Sequence, residues 1–150
     1  MKIIQQWCVK MCPGCKMDAS GDCGCVYIVF RVLVGLMFMQ HGGQKLFGMF
    51  GGIDGAGGSV ELMTLMGLAG VIEFFGGLGI VLGFFTRLIA VIAAIEMVFA
   101  FFMMHVSQSF IPIINGGELA VLFFAAFILM SKLGNGKWSL EQTLLKKEIF

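Results

Sequence analysis

The sequence predicts an all-α membrane protein, a bundle of four transmembrane helices with a short cysteine-rich head and a polar tail. Three observations carry that expectation. Of 150 residues, 59% are hydrophobic and 13% charged, with mean hydropathy +0.96, where a soluble domain carries about 25% charged residues. The stretch from Leu62 to Phe85 holds a single charge, Glu73, and matches the ~20 apolar residues a helix needs to cross a hydrocarbon layer ~30 Å thick. It also has no polar face, which a helix on a soluble core would need.

The elements follow in order. Residues 1–25 are polar and contain all five cysteines. No apolar core precedes those cysteines, so this head does not read as a secretory signal. The first span runs from Val26 to about Gln44 and contains Arg31. A glycine-rich loop, 47–59, leads to the span 62–85. Thr86-Arg87 is expected as a tight turn that makes the second and third spans an antiparallel hairpin. The third span, Leu88 to about His105, carries Glu96. A loop over 107–117 precedes the last span, Glu118 to about Leu133, and a tail over 134–150 follows. The domain is therefore expected over 26–133. No basic stripe interleaved with aromatics suggests nucleic acid, and the expected surroundings are a lipid bilayer with further subunits or copies of this chain.

Lys and Arg near the span ends set the orientation. With both termini cytoplasmic, the inner side carries Lys2, Lys10, Lys16, Arg87, Lys132, Lys137, Lys146 and Lys147 and the outer side only Lys45, which predicts a multi-pass cell-membrane protein with both ends inside. Asn115 and Glu118 have capping-box spacing, as do Ser139 and Gln142. In the tail, Leu140, Leu144 and Leu145 beside Lys146 and Lys147 suggest a helix lying on an anionic leaflet.

Three ionisable residues fall inside the apolar spans. By helical rise Arg31 lies roughly 8 Å, Glu96 roughly 12 Å and Glu73 roughly 18 Å from the inner ends. Each unpaired charge at such depth costs at least ~2.5 kcal/mol, so Arg31 is expected to pair with Glu96 or Glu73. One arginine cannot neutralise two carboxylates, and Glu73 is the one expected to hold a proton. Such a group suits proton or quinone chemistry, with Arg31, Glu73 and Glu96 as the catalytic candidates; the alternative is a charge cluster that only fixes helix register. Arg31, Gly35, Phe38, Gly42 and Lys45 share one helical face, and Glu73, Gly77, Ile80, Phe84 and Arg87 another, and these faces are expected to meet. Nearer the outer surface, His41, Gln44, Lys45, His105 and Glu118 form a second polar group. His41, Gln44 and Lys45 suit a quinone head group; two histidines at one level also allow haem or a metal, or plain interfacial hydrogen bonding.

Cys8, Cys12, Cys15, Cys23 and Cys25 lie in the cytoplasmic head, where stable disulfides do not persist. Cys12, Cys15, Cys23 and Cys25 offer four thiolates for zinc or an iron–sulfur centre. The Cys12-Pro-Gly-Cys15 unit also allows dithiol–disulfide cycling, and inert or lipidated thiols complete the alternatives. No βαβ pattern surrounds it, which excludes a thioredoxin domain.

Taken together, Arg31-x-x-x-Gly35-x-x-Phe38, His41-Gly42-x-Gln44-Lys45-Leu46-Phe47-Gly48, Glu73-x-x-Gly76-Gly77 with Gly83, Thr86-Arg87, Gly116-Gly117-Glu118 and the closing Gly136-Lys-Trp-Ser139-Leu140 resemble the DoxX family over about residues 26–142. The resemblance implies a four-helix membrane protein that serves as a subunit or partner of membrane oxidoreductases. In the DoxD branch it implies thiosulfate oxidation coupled to quinone reduction, in others thiol and oxidative-stress handling, and in distant relatives cargo receptors or assembly chaperones. The head at 1–25 lies outside this pattern. The expected function is a membrane redox component acting on quinone, thiol or sulfur compounds, with Arg31 and Glu73 in charge balance and proton uptake and His41 and Lys45 at the head group. Cysteines on the inner side and His41 near the outer are too far apart for one small substrate to touch both. The alternative is a non-enzymatic adapter, assembly factor or small-molecule carrier with a metal-binding cysteine head.

Overall fold

The computed structural model describes residues 24–136 and 138–146. Cys12, Cys15 and Cys23 therefore lie outside the described residues, and of Cys25 only the backbone falls within them. The described chain is helical apart from loops and one isolated bridge between Gly52 and Gly58. Four helices form the bundle: α1 (Gly24–Phe47), α2 (Leu65–Leu82), α3 (Thr86–Ala100) and, after the four-residue α4 (Pro112–Asn115), α5 (Glu118–Leu133). A short α6 (Leu140–Leu145) closes the described chain. Val26–Phe47, Leu65–Leu82 and Thr86–His105 are each long and apolar enough to cross a membrane. At 16 residues, α5 is roughly 24 Å long, short of the ~30 Å hydrocarbon layer.

Local chemistry sets the helix ends. Thr64 caps α2, its hydroxyl accepting from the Gly67 N–H at 3.1 Å, so this helix starts at Leu65 and not at Leu62. It stops at Gly83, whose φ of +67° is left-handed and open to glycine at little cost. The turn between α2 and α3 is thus Gly83–Phe85, and Thr86 and Arg87 already belong to the third helix. Beyond Ala100 the third helix widens into a π turn, Phe101–His105. The expected capping box at Asn115 does not form. The Asn115 side chain instead accepts from the Gly117 N–H at 2.7 Å and donates to the Ser109 carbonyl at 2.6 Å, while Glu118 is exposed.

The two apolar faces that the sequence marks with glycine do meet. α1 runs antiparallel to α2 with the backbones almost touching: a Cβ on Gly77 would lie 2.6 Å from both the Gly35 carbonyl oxygen and the Met39 nitrogen, and one on Gly42 within 2.7 Å of the Gly70 carbonyl oxygen. Small residues do the same on the other side, where α3 lays Ala90, Ala93, Ala94 and Met97 against Ala120, Phe123, Phe127 and Met130 of α5. Without a hydrophobic drive between helices in lipid, this close approach supplies the attraction. Phe38 joins the two pairs, its ring 4.7 Å from Phe127 and 5.5 Å from Phe123. Large apolar side chains such as Leu33, Phe75, Ile95, Phe99 and Leu122 point outward, as a lipid-facing surface requires.

Candidate functional site

Two buried polar groups sit at different levels of the bundle. The first lies where α1 begins and α2 ends. Arg31, 2% exposed, donates through Nη1 to the Asn135 carbonyl and through Nη2, at 3.4 Å, to the Val81 carbonyl. Tyr27 donates its hydroxyl to the Gly134 carbonyl at 2.5 Å. The Asn135 side chain donates to Glu141 Oε2 at 2.6 Å and accepts from the Thr86 N–H at 3.3 Å, and Glu141 Oε2 also accepts from the Phe85 N–H at 3.1 Å. Asn135, Glu141 and Thr86 are completely buried. The network draws the 134–141 segment into the end of the bundle and places a carboxylate at the start of α3, where the free N–H groups and helix dipole favour it.

The geometry corrects one expectation. Arg31 does not pair with Glu73 or Glu96; among the described residues it faces carbonyl oxygens and no carboxylate. α6 begins as expected, Ser139 Oγ accepting from the Gln142 N–H at 3.1 Å, with Glu141 buried and Leu140, Leu144 and Leu145 exposed.

The second group lies deeper. Lys45, near the far end of α1, folds back along α2 and meets Glu73 Oε1 at 2.5 Å. Glu96 of α3 interacts electrostatically with both Glu73 and Lys45. His41, one turn before Lys45, feels its charge and lies edge-on to Phe123 with ring centroids 5.9 Å apart. Glu73 Oε2 and both oxygens of Glu96 are buried with no hydrogen-bond partner among the described residues. The sequence treated Lys45 as an outer head-group ligand and Glu73 and Glu96 as the possible partners of Arg31, with Glu73 holding a proton. The length of the lysine stem, which lets the ammonium travel from its own Cα toward the interior, makes them one site.

The other expected ligands serve loops. Gln44 donates to the Gly52 carbonyl at 2.9 Å, pinning the glycine-rich loop. His105 Nδ1 lies 3.0 Å from the Asn115 carbonyl oxygen, and nine residues of rise, about 13 Å, separate it from Glu96. Among the described residues no three His, Cys, Asp or Glu side chains gather as a metal would need. Asn135 and Glu141 were missed because nothing local distinguishes them: an asparagine between two glycines reads as a turn, and an acid after a serine cap reads as solvated. The one available signal was that Arg31 still needed acceptors.

The DoxX family profile matches residues 26–106. The chain belongs to the DoxX family. An uncharacterized protein of Haemophilus influenzae is 38% identical to this DoxX chain over 120 residues, 78% of the chain and 89% of the relative. The inner membrane protein YqjF of Escherichia coli K12 is 29% identical over 129 residues, 80% of the chain and 92% of the relative. No solved structure matches the chain. Three apolar helices and an inner-membrane relative place the protein in a membrane.

Proposed function

We propose that this DoxX protein is a membrane component of a redox system, in which the His41–Lys45–Glu73–Glu96 cluster binds a quinone and handles the protons that accompany its electrons. The observation that carries this reading is the unequal account at the cluster. One ammonium faces two carboxylates, and three carboxylate oxygens inside an apolar bundle have no partner among the described residues. An intramembrane ionisable group without a structural partner is a functional site by default. The residues suit a quinone: His41, Lys45 and whichever of Glu73 and Glu96 holds a proton can each donate to a carbonyl oxygen, and the ring would lie among aromatics such as Phe123. A quinone supplies the chemistry of taking two electrons and two protons together. The chain would hold the head group, exclude water and pass protons between Glu96 and Glu73, with Lys45 keeping the pair electrically balanced. In this reading α5 completes the bundle as a fourth span and both termini face the cytoplasm. Electrons enter from a thiol or sulfur compound through Cys12, Cys15, Cys23 and Cys25, or through a metal held there, with partner subunits or further copies linking the two sides.

Solvent extraction of the purified protein tests it. The wild type should release quinone in near-stoichiometric amount, and Glu96→Gln should lose most of it while keeping the same helical spectrum. Quinone-free wild-type protein would defeat the proposal, as would quinone unaffected by either Glu96→Gln or Glu73→Gln. A second reading, a non-enzymatic adapter, is favoured by the Arg31–Asn135–Glu141 group, in which Asn135 and Glu141 hold the chain's own tail against the helix ends.

A further inference from the structure

Beside Arg31 a groove of about 540 Å³ opens between α1, the end of α2 and the segment leading into α6. One wall is apolar, with Ile28, Val32 and Val81, and the other polar, with Ser139 and Gln142; Trp138, 74% exposed, stands at the rim. Arg31 itself lines it. The guanidinium is not fully used. Nη1 is held by the Asn135 carbonyl, but among the described residues Nε, buried, has no acceptor, and Nη2 makes only the 3.4 Å contact to Val81. The Nε–Nη2 edge is the fork that grips two oxygens of one phosphate or carboxylate. This edge is both underused and uncompensated, since no carboxylate pairs with the arginine among the described residues.

We propose that the groove is a binding site for an anionic phospholipid of the surrounding bilayer, its phosphate on the Nε–Nη2 edge of Arg31 and the start of an acyl chain along Ile28, Val32 and Val81. Position argues for a lipid over a soluble anion. The groove lies at the ends of two membrane-spanning helices, has an apolar wall continuous with the lipid-facing surface, and carries an exposed tryptophan of the kind that settles at the headgroup level. Basic pockets between helices at this depth recruit acidic headgroups. A phosphate accepting from Nη2 would replace its weak contact to Val81 and leave the Asn135 contact intact.

Native mass spectrometry of the intact chain, equilibrated with equal phosphatidylglycerol and phosphatidylcholine in mild detergent, tests this without any variant: the anionic lipid should be retained about tenfold in excess, as a charge-assisted bidentate contact predicts. Arg31→Lys keeps the charge but not the fork and should cut the preference several-fold. Because changes at Arg31 also disturb the tail, Val32→Trp provides an independent arm: it leaves the arginine in place, fills the groove and should abolish the preference. Equal retention of the two lipids in the wild type, or a preference that survives Val32→Trp, overturns the proposal. So does release of the bound lipid by millimolar inorganic phosphate, which would identify a free-anion site, or recovery of a quinone in place of lipid from the groove.

Discussion

The Arg31 end and the Lys45 level use the same kind of residue to opposite effect. At the first, a guanidinium, an amide and a carboxylate are knitted to backbone groups of the helix ends and of the tail: Asn135 links Arg31 to Glu141, and Glu141 in turn holds the start of α3. At the second, an ammonium meets one carboxylate oxygen, and the remaining oxygens find no partner among the described residues. A buried polar group with partners contributes order, whereas one without partners costs stability and persists only where something else is gained. At the first region only Arg31 Nε and Thr86 Oγ1 lack partners among the described residues, at the second three carboxylate oxygens do. The contrast separates the part of the molecule that mainly shapes it from the part whose carboxylates are open to chemistry, although both read in the sequence as charges inside apolar helices.

The sharpest way to break that contrast is to remove a knot from the first region. Glu141→Ala takes the acceptor from Asn135 and from the Phe85 N–H and leaves both donors buried. It should cost about 3 kcal/mol or more, seen as a lower denaturation midpoint in detergent and earlier proteolysis of the tail. A Glu141→Ala protein as stable as the wild type would mean that the tail is only loosely attached and that the two regions do not differ as described.

Next in size is the helix contact that holds the two levels in register. Gly42→Ala drives a methyl group into the backbone of α2 near Gly70, where no flexible side chain can give way, and overpacking of this kind costs about 1–3 kcal/mol. The added separation should also pull Lys45 away from Glu73, so the variant should lose quinone as well as thermal stability. Loss of stability with quinone retained would uncouple the site from this contact.

Glu96→Gln makes the complementary prediction at the second region. It replaces a buried carboxyl that has no hydrogen-bond partner among the described residues with a neutral amide of the same shape, so stability should hold or rise, by about 1 kcal/mol at most, as measured by the same denaturation midpoint. A large loss would assign Glu96 to the framework with Glu141.

Much of the bundle was legible because periodicity and glycine report on helix faces directly: Gly35, Gly42 and Gly77 marked the surfaces that touch, and Phe38 and Ile80 beside them are fully buried. The sites were less legible because depth along a helix is not reach. Lys45 belongs by position to the outer edge but by ammonium to the interior, and its long stem decides the pairing. Glu141, on a six-residue helix beyond the last span, looked solvated because the tertiary fold that buries it depends on an arginine more than a hundred residues earlier, and no local pattern records a contact at that separation. The fourth helix was as legible as the bundle faces: its apolar run marks Glu118 to about Leu133, and the helix runs Glu118–Leu133.

The smallest expected effect isolates burial from satisfaction. Asp54, in the glycine-rich loop, resembles Glu141 in that a carboxylate oxygen accepts from two N–H groups, here of Ala56 and Gly58, both at 2.9 Å, but it is fully exposed. The Gly58 and Ala56 N–H groups favour the ionised form and hold the Asp54 carboxyl below the usual aspartate value. A depressed folded value means that the ionised loop is favoured above the ordinary aspartate range, near pH 3.9, and that this advantage is lost as pH falls through the lower folded value. Amide exchange at Ala56 and Gly58, corrected for its intrinsic pH dependence, should therefore lose protection below pH 4 and stay flat above pH 5, with the bundle helices unaffected. Asp54→Asn should reduce the low-pH step in the loop and leave the denaturation midpoint where it was. If that exposed substitution destabilised the bundle as much as Glu141→Ala, satisfaction alone would decide the cost, and burial, which distinguishes the knot around Asn135 from every solvated turn, would not be the reason Arg31 and Glu141 act as framework.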